Sequence, residues 1–162
     1  MSKLIPLTNG EFTLVDDEDY EELAKYKWGV LKVHQSSHAT RTTKTKNESR
    51  FMHRIIFKAK TGEPFIDHID GNGLNNQKSN LRWASRSENM QNSKKTLGKR
   101  HSKYKGVSFH KGSKKWCANI RKETKKIYLG LFETEIAAAQ CYNKVAKEIF
   151  GAFAKINLIE GE

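Results

Sequence analysis

The first hydrophobic runs, residues 4–7 and 12–15, are of strand length and flank Asn9-Gly10, a dipeptide that favours a tight hairpin turn. Asp16 or Asp17 then caps a short helix expected to reach about Tyr26. Acids fill its first turn, where they suit the helix macrodipole, and Tyr20, Leu23 and Ala24 form its expected buried side. Residues 28–33 and 50–57 read as further strands separated by a polar stretch rich in Ser, Thr and Lys. Next come a strand ending near His68, a Gly/Asn-rich loop, a second strand at 81–83 and a helix opened by the capping box Ser85-x-x-Glu88. Residues 94–103, where only Leu97 is strongly apolar, read as a basic linker. Three short strands follow at 106–110, 115–121 and 126–129. A helix over 135–150 closes the pattern, with Thr134 as N-cap, Gly151 as stop, and Ala138, Tyr142, Val145 and Ile149 on the face turned to the sheet. Period-two alternation divides that sheet. Trp116, Ala118 and Ile120, with Ile127 and Leu129, should pack on the helix; Lys115, Asn119 and Arg121, with Lys126 and Tyr128, share the opposite face.

Composition changes the picture in one respect. With 36% hydrophobic and 30% charged residues in 162, the core is modest and divided. The net charge of +12 favours a polyanionic partner, most simply nucleic acid. Charge is also segregated. Residues 76–126 carry 16 Lys and Arg against two acids, Glu88 and Glu123, whereas residues 11–22 hold seven acids and no Lys or Arg. The partner is therefore expected along the middle of the sequence. Cys117 and Cys141 are too few for a four-cysteine zinc site and form no Cys-x-x-Cys pair, so no structural zinc is expected and both read as buried thiols. The N-terminus lacks a long apolar run, so neither signal peptide nor membrane span is expected, and the protein should act in cytoplasm.

Candidate chemistry concentrates between residues 67 and 89. Asp67 offers an anionic oxygen and Asn89 a neutral carbonyl oxygen, leaving most positions of an octahedral ion open to water and phosphate, as magnesium and manganese prefer. His68 can take a proton from water at cellular pH, and Asn80 can hold that imidazole, or the loop, through its amide. Neighbours on a flat strand point to opposite faces, so a joint Asp67–His68 site requires a strand end or twist, which Gly71 and Gly73 permit. Singly, these residues are equally turn or structural groups; the ordered set carries the reading. His53, with no carboxylate near it in sequence, reads as structural or DNA-facing.

The run Asp67-His68-Ile69-Asp70-Gly71-Asn72, with Leu74-Asn75-Asn76, Asn80-Leu81-Arg82-Trp83 and Ser87-Glu88-Asn89, resembles the HNH nucleases of the ββα-metal fold, closest to the phage and intron homing subgroup whose last motif residue is Asn. The resemblance covers residues 1–93 and implies that Asp67 and Asn89 bind one divalent metal, magnesium or manganese. It implies His68 as general base and Asn80 as its support. Family members often carry zinc-binding cysteine pairs around the motif; here packing from residues 1–60 must substitute.

Residues 104–158 resemble a second family, the Apetala/ethylene-response-factor DNA-binding domain, through Tyr104-Lys105-Gly106-Val107, Trp116, Ile120-Arg121, Tyr128-Leu129-Gly130, Phe132, Ala137-Ala138-Ala139, Tyr142 and Lys155-Ile156-Asn157. That family lays a three-stranded sheet in the DNA major groove. The expected contacts are Lys105, His110, Lys115, Asn119, Arg121, Lys126 and Tyr128, joined by Arg82 and Arg86 from the nuclease half. Arg121 suits guanine and Asn119 adenine, while lysines bind phosphate. The family usually has arginines where Lys105, Ser108 and His110 stand, so its target sequence does not carry over.

The expected fold is α+β: a ββα-metal nuclease domain with a β-rich N-terminal extension, a linker over 94–103, and a three-stranded antiparallel sheet on one helix. The expected function is a site-specific, metal-dependent endonuclease acting on double-stranded DNA, nicking as a monomer, with no protein partner required and a dimer allowed. The competing classes are a non-catalytic DNA-binding regulator with a relic nuclease domain, and an RNA-directed nuclease. Retention of Asp67, His68, Asn80 and Asn89 argues against the relic, and the narrow major groove of A-form RNA argues against RNA.

Overall fold

A computed structural model describes residues 1–33, 36–43, 50–59, 64–93 and 102–159, so most of the expected linker lies outside the described residues. The chain is α+β and divides into two compact units, Met1–Asn89 and Met90–Glu162.

In the first unit, β1 (Ser2–Pro6) and β2 (Phe12–Asp16) form an antiparallel hairpin, turned at Gly10 with φ +86°. Helix α1 (Asp17–Leu23) follows and is shorter than expected: Leu23 is buried and Tyr20 packs on the core, but Ala24 lies exposed beyond the last turn. The next hairpin pairs β3 (Gly29–Val33) with β4 (Ser36–Thr40). The third pairs β5 (Phe65–His68) with β6 (Leu81–Ala84), and α3 (Arg86–Asn92) succeeds β6 directly. That strand–strand–helix order is the ββα arrangement. Its core gathers Ile5, Leu7, Val15, Leu23, Trp28, Met52, Ile66 and Leu81, with the Trp28 indole N–H donating to the Leu23 carbonyl at 2.8 Å.

Two expectations fail here. Residues 50–57 are not a strand: Phe51 makes a single bridge to Thr40, and Met52–Ile56 is a short helix, α2. Met52, Ile55 and Ile56 fall at helical spacing and turn onto the core, so the apolar run follows the 3.6-residue period. Conversely, β4 lies within the polar stretch between the two expected strands; Ser36-Ser37-His38-Ala39-Thr40 buries only Ala39 fully and gains its strand character from pairing with β3.

The loop after β5 is stitched to the first hairpin. Leu14 N–H donates to the Leu74 carbonyl (2.9 Å) and Asn76 N–H to the Leu14 carbonyl (2.8 Å). Lys78 N–H donates to Asp16 Oδ2 (2.7 Å), and the Lys78 ammonium reaches Glu18 and Asp19. The acidic segment thus anchors the loop that follows the strand carrying Asp67 and His68.

In the second unit β7 (Val107–His110), β8 (Lys115–Lys122) and β9 (Lys125–Phe132) form an antiparallel sheet in that order. The register steps from Asn119↔Tyr128 to Ala118↔Gly130, leaving Leu129 as a bulged extra residue. Helix α4 (Glu135–Phe150) packs on the sheet through Ala138, Ala139, Tyr142 and Ala146 and is capped by Thr134 Oγ1, which accepts from Ala137 N–H at 3.1 Å. Val145 and Ile149 are only partly buried, and Ile127, expected against the helix, is exposed near the hairpin end. Asn157 ties the C-terminal segment back: its Oδ1 accepts from Lys105 N–H (2.6 Å) and its N–H donates to Asn143 Oδ1 (2.7 Å). No helix among the described residues is long and apolar enough to cross a membrane.

Candidate active site and candidate DNA-binding sheet

Register fixes the two chemical neighbours. Asp67 stands opposite Arg82 and His68 opposite Leu81 across β5 and β6, so the two side chains leave the strand on different faces. Asp67, 5% exposed, takes a two-pronged contact from Arg82, with Nε at 3.0 Å and Nη2 at 2.7 Å from Oδ2. Arg82, expected at DNA, is thus committed to the carboxylate. Asn89 stands in the first turns of α3, whose start is closed by a reciprocal capping box: Ser85 N–H donates to Glu88 Oε2 (2.7 Å) and Glu88 N–H to Ser85 Oγ (3.2 Å). Arg86, on the same turn, is exposed.

His68 is held by Asn76, a residue of the loop after β5. Its Nε2 lies 3.2 Å from Asn76 Oδ1. The proton position follows from the network. Thr13 Oγ1 donates to the Leu74 carbonyl (2.7 Å) and accepts from Asn76 Nδ2 (2.8 Å). Asn76 therefore presents its carbonyl oxygen to the imidazole, Nε2 carries the proton, and the lone pair is on Nδ1. Burial lowers the His68 pKa against the opposing pull of the Asn76 hydrogen bond, so the ring is neutral at cellular pH.

Asn80 holds the loop. Its Nδ2 donates to Asp70 Oδ1 (3.0 Å) and the Asn75 carbonyl (2.8 Å), and its Oδ1 accepts from Asp70 N–H (3.1 Å). Burial works to raise the Asp70 carboxyl, but donors from Asn72, Asn75 and Asn80 outweigh it and keep it below the usual carboxylate range.

Two histidines that sequence order gave no reason to group stand beside His68. The His53 ring centroid is 5.0 Å from that of His68, and the His38 centroid is 5.6 Å from it. Desolvation, with help from His68, pushes His38 down to about 4 and His53 to about 3. His53 reads from the sequence as structural or DNA-facing, and nothing along the chain announces that β4 and α2 converge on β5.

On the sheet, direct cross-strand pairs place Arg121 with Lys126, Asn119 with Tyr128, and Lys115 with His110 on the face away from α4. Arg121, Lys126 and Tyr128 are exposed, Lys115 pairs with Glu133 at 2.6 Å, and Asn119 Nδ2 lies 3.1 Å from Cys117 Sγ. His110 Nδ1 accepts from Ser113 N–H at 3.2 Å, which leaves the ring proton on Nε2. Lys105 is not with this group. Its ammonium caps the carbonyls of Gln91 (2.6 Å) and Ser93 (2.7 Å), and burial lowers its pKa to about 8.

A ββα motif presenting a buried Asp-His pair, in a chain whose second unit carries a basic sheet, defines a nuclease class. The family model described as HNH endonuclease matches residues 50–91. An uncharacterized HNH endonuclease of Acanthamoeba polyphaga mimivirus is 33% identical over 159 residues, spanning 93% of this chain and 77% of that protein. The chain belongs to the HNH endonuclease family and is a DNA-cleaving enzyme. Protein 3.8 of Escherichia phage T7 is 35% identical over 91 residues, covering 56% of this chain and 74% of that one. An ethylene-responsive transcription factor of Arabidopsis thaliana is 40% identical over 70 residues, covering 42% of this chain and 38% of the plant protein. No solved structure matches.

Proposed function

We propose that the chain is a site-specific, metal-dependent endonuclease of homing type that nicks duplex DNA as a monomer, acting in the host cytoplasm if phage-encoded. The observation that carries this reading is His68: a buried, neutral imidazole whose Nε2 proton is fixed on Asn76 and whose lone pair is on Nδ1, adjacent in sequence to a buried carboxylate. His68 Nδ1 takes the proton of the attacking water, and Asn76 Oδ1 stabilises the imidazolium that forms. Asn80 holds the Asp70–Asn75 loop around it. The donors of Asp67 and Asn89 are both oxygens, which fits one hard divalent ion, magnesium or manganese. Bound there, such an ion neutralises phosphate charge and stabilises the leaving oxygen. Arg82 balances Asp67 in the absence of substrate and is available to phosphate afterwards.

Recognition is assigned to the outer sheet face. Arg121 and Asn119 read bases, His110 and Tyr128 flank them, and Lys115, Lys126 and Arg86 meet phosphates. Lys105 serves as a brace through its two carbonyl contacts. The basic composition and the plant transcription-factor relative support this half of the reading.

Incubating plasmid with the protein and magnesium, with and without chelator, tests the proposal. Nicked circles that require metal and disappear in Asp67→Ala are expected. Chelator-insensitive cutting overturns the metal assignment, and binding without any cutting favours the regulator. Mapping both strands decides between a nick and a double cut.

A further inference from the structure

We propose that His38, His53 and His68 together bind a zinc-class divalent cation, at a site distinct in donor chemistry from the oxygen site assigned to Asp67 and Asn89. The three residues come from β4, α2 and β5, and one ring nitrogen from each lies within 4.8 Å of the others. The centroids are 5.0 to 5.7 Å apart. Two of the rings have an unmet need: His38 Nδ1 and His53 Nδ1 are buried without a hydrogen-bond partner, and His53 is only 8% exposed. Buried imidazole nitrogens are rarely left so, and a cation coordinated by them removes the deficit.

The donor set selects the ion. Three neutral imidazoles suit zinc and its borderline neighbours cobalt, nickel and copper, whereas magnesium and manganese prefer oxygen. Three histidines plus a solvent or substrate oxygen is a familiar four-coordinate arrangement, with Zn–N distances of about 2.0–2.1 Å. Ring nitrogens on such an ion are roughly 3.4 Å apart, so the triad must draw in by side-chain rotation. Burial already keeps His38 and His53 unprotonated, the state a ligand needs. Asn76 completes the arrangement from behind, since a ligating imidazole usually gives its other N–H to a fixed oxygen, as His68 does here.

The consequence rests on the reading of His68 as general base. A cation held by the triad takes the lone pair that would accept the proton of water, so zinc at this site silences cleavage supported by magnesium. The same three elements would also be fastened together, β4 and α2 of the extension to β5 of the nuclease motif.

Cobalt(II) titration of the full-length, metal-free protein is the test, read by the intense visible bands of four-coordinate cobalt and their loss when zinc is added. A single zinc-displaceable site is expected, with affinity at least ~10-fold weaker in His38→Gln and in His53→Gln. Circular dichroism checks folding. If the buried His53 variant does not fold, His38→Gln, on a more exposed strand, decides. No four-coordinate spectrum, an unchanged spectrum in His38→Gln, or a thiolate-to-cobalt charge-transfer band placing the ion at Cys117 or Cys141 overturns the site. Zinc inhibition is then measured for each protein against its own zinc-free rate, and His38→Gln is expected to tolerate more zinc. If cobalt binds at the triad while zinc leaves cleavage untouched, the triad site stands and the assignment of His68 as base falls.

Discussion

Asn76 is fully buried and its side chain joins β5 to β2: its carboxamide oxygen meets His68, its nitrogen meets Thr13, and Thr13 passes the chain of donors to Leu74. Asn76→Ala strands both the His68 N–H and the Thr13 hydroxyl's acceptor role in a dry environment. The expected loss is about 1–3 kcal/mol of stability in urea denaturation, together with slower cleavage. The histidines give a second prediction, for chelator-treated protein. His38 and His53 are held at about 4 and about 3, while in the unfolded chain both titrate near ~6.5. Below ~6.5 the unfolded chain takes up protons that the folded protein refuses. Stability is therefore complete above that pH and falls as acidity increases toward the folded values. The slope approaches ~1.4 kcal/mol per pH unit for each imidazole. Urea midpoints at several pH values should show this decline, and His53→Gln should flatten it.

At the scale of elements, the capping box at Ser85 and Glu88, the Asn9-Gly10 hairpin, the three-stranded sheet and the Thr134-capped helix were all legible, because each is specified by local chemistry. Helix α2 and strand β4 were not. Residues 50–57 carry a run of apolar side chains that fits a strand as well as a helix until its packing partners are known, and β4 shows no strand pattern because Ser36-Ser37-His38-Ala39-Thr40 is mostly polar, with only Ala39 fully buried. The same gap hid the histidine cluster, which exists only once β4 and α2 are placed. Tertiary demand is plainest at Gly106. Its φ is +77°, and a Cβ there would stand 2.1 Å from the Tyr142 ring and 2.6 Å from the Asn119 carbonyl. Gly106→Ala should lower the melting temperature of the sheet-and-helix unit far more than Thr134→Ala, which removes one cap worth about 0.5–2 kcal/mol. Equal shifts in calorimetry would contradict the packing described around Tyr142.

For the molecule as a whole, charge is divided as the chemistry requires. Seven acids in residues 11–22 include the Asp16, Glu18 and Asp19 that anchor the loop after β5, and the basic excess runs through the motif into the sheet. That segregation was visible in the sequence, whereas the contacts that Lys105 and Arg82 make within the protein were not, because their partners come from folding. Arg121→Ala should weaken preferred-site binding by ~1–3 kcal/mol and relax preference locally. Lys125→Ala should lower affinity evenly and flatten its salt dependence. Competition binding at two salt concentrations distinguishes them. The base proposed for the chemistry is His68, oriented by Asn76. Single-turnover cleavage by His68→Ala, measured beside its DNA affinity, tests it most directly. With His68 as the base, the rate falls ~10²–10⁴-fold while affinity stays nearly unchanged; a folded His68→Ala protein that cuts at the full rate would contradict that role.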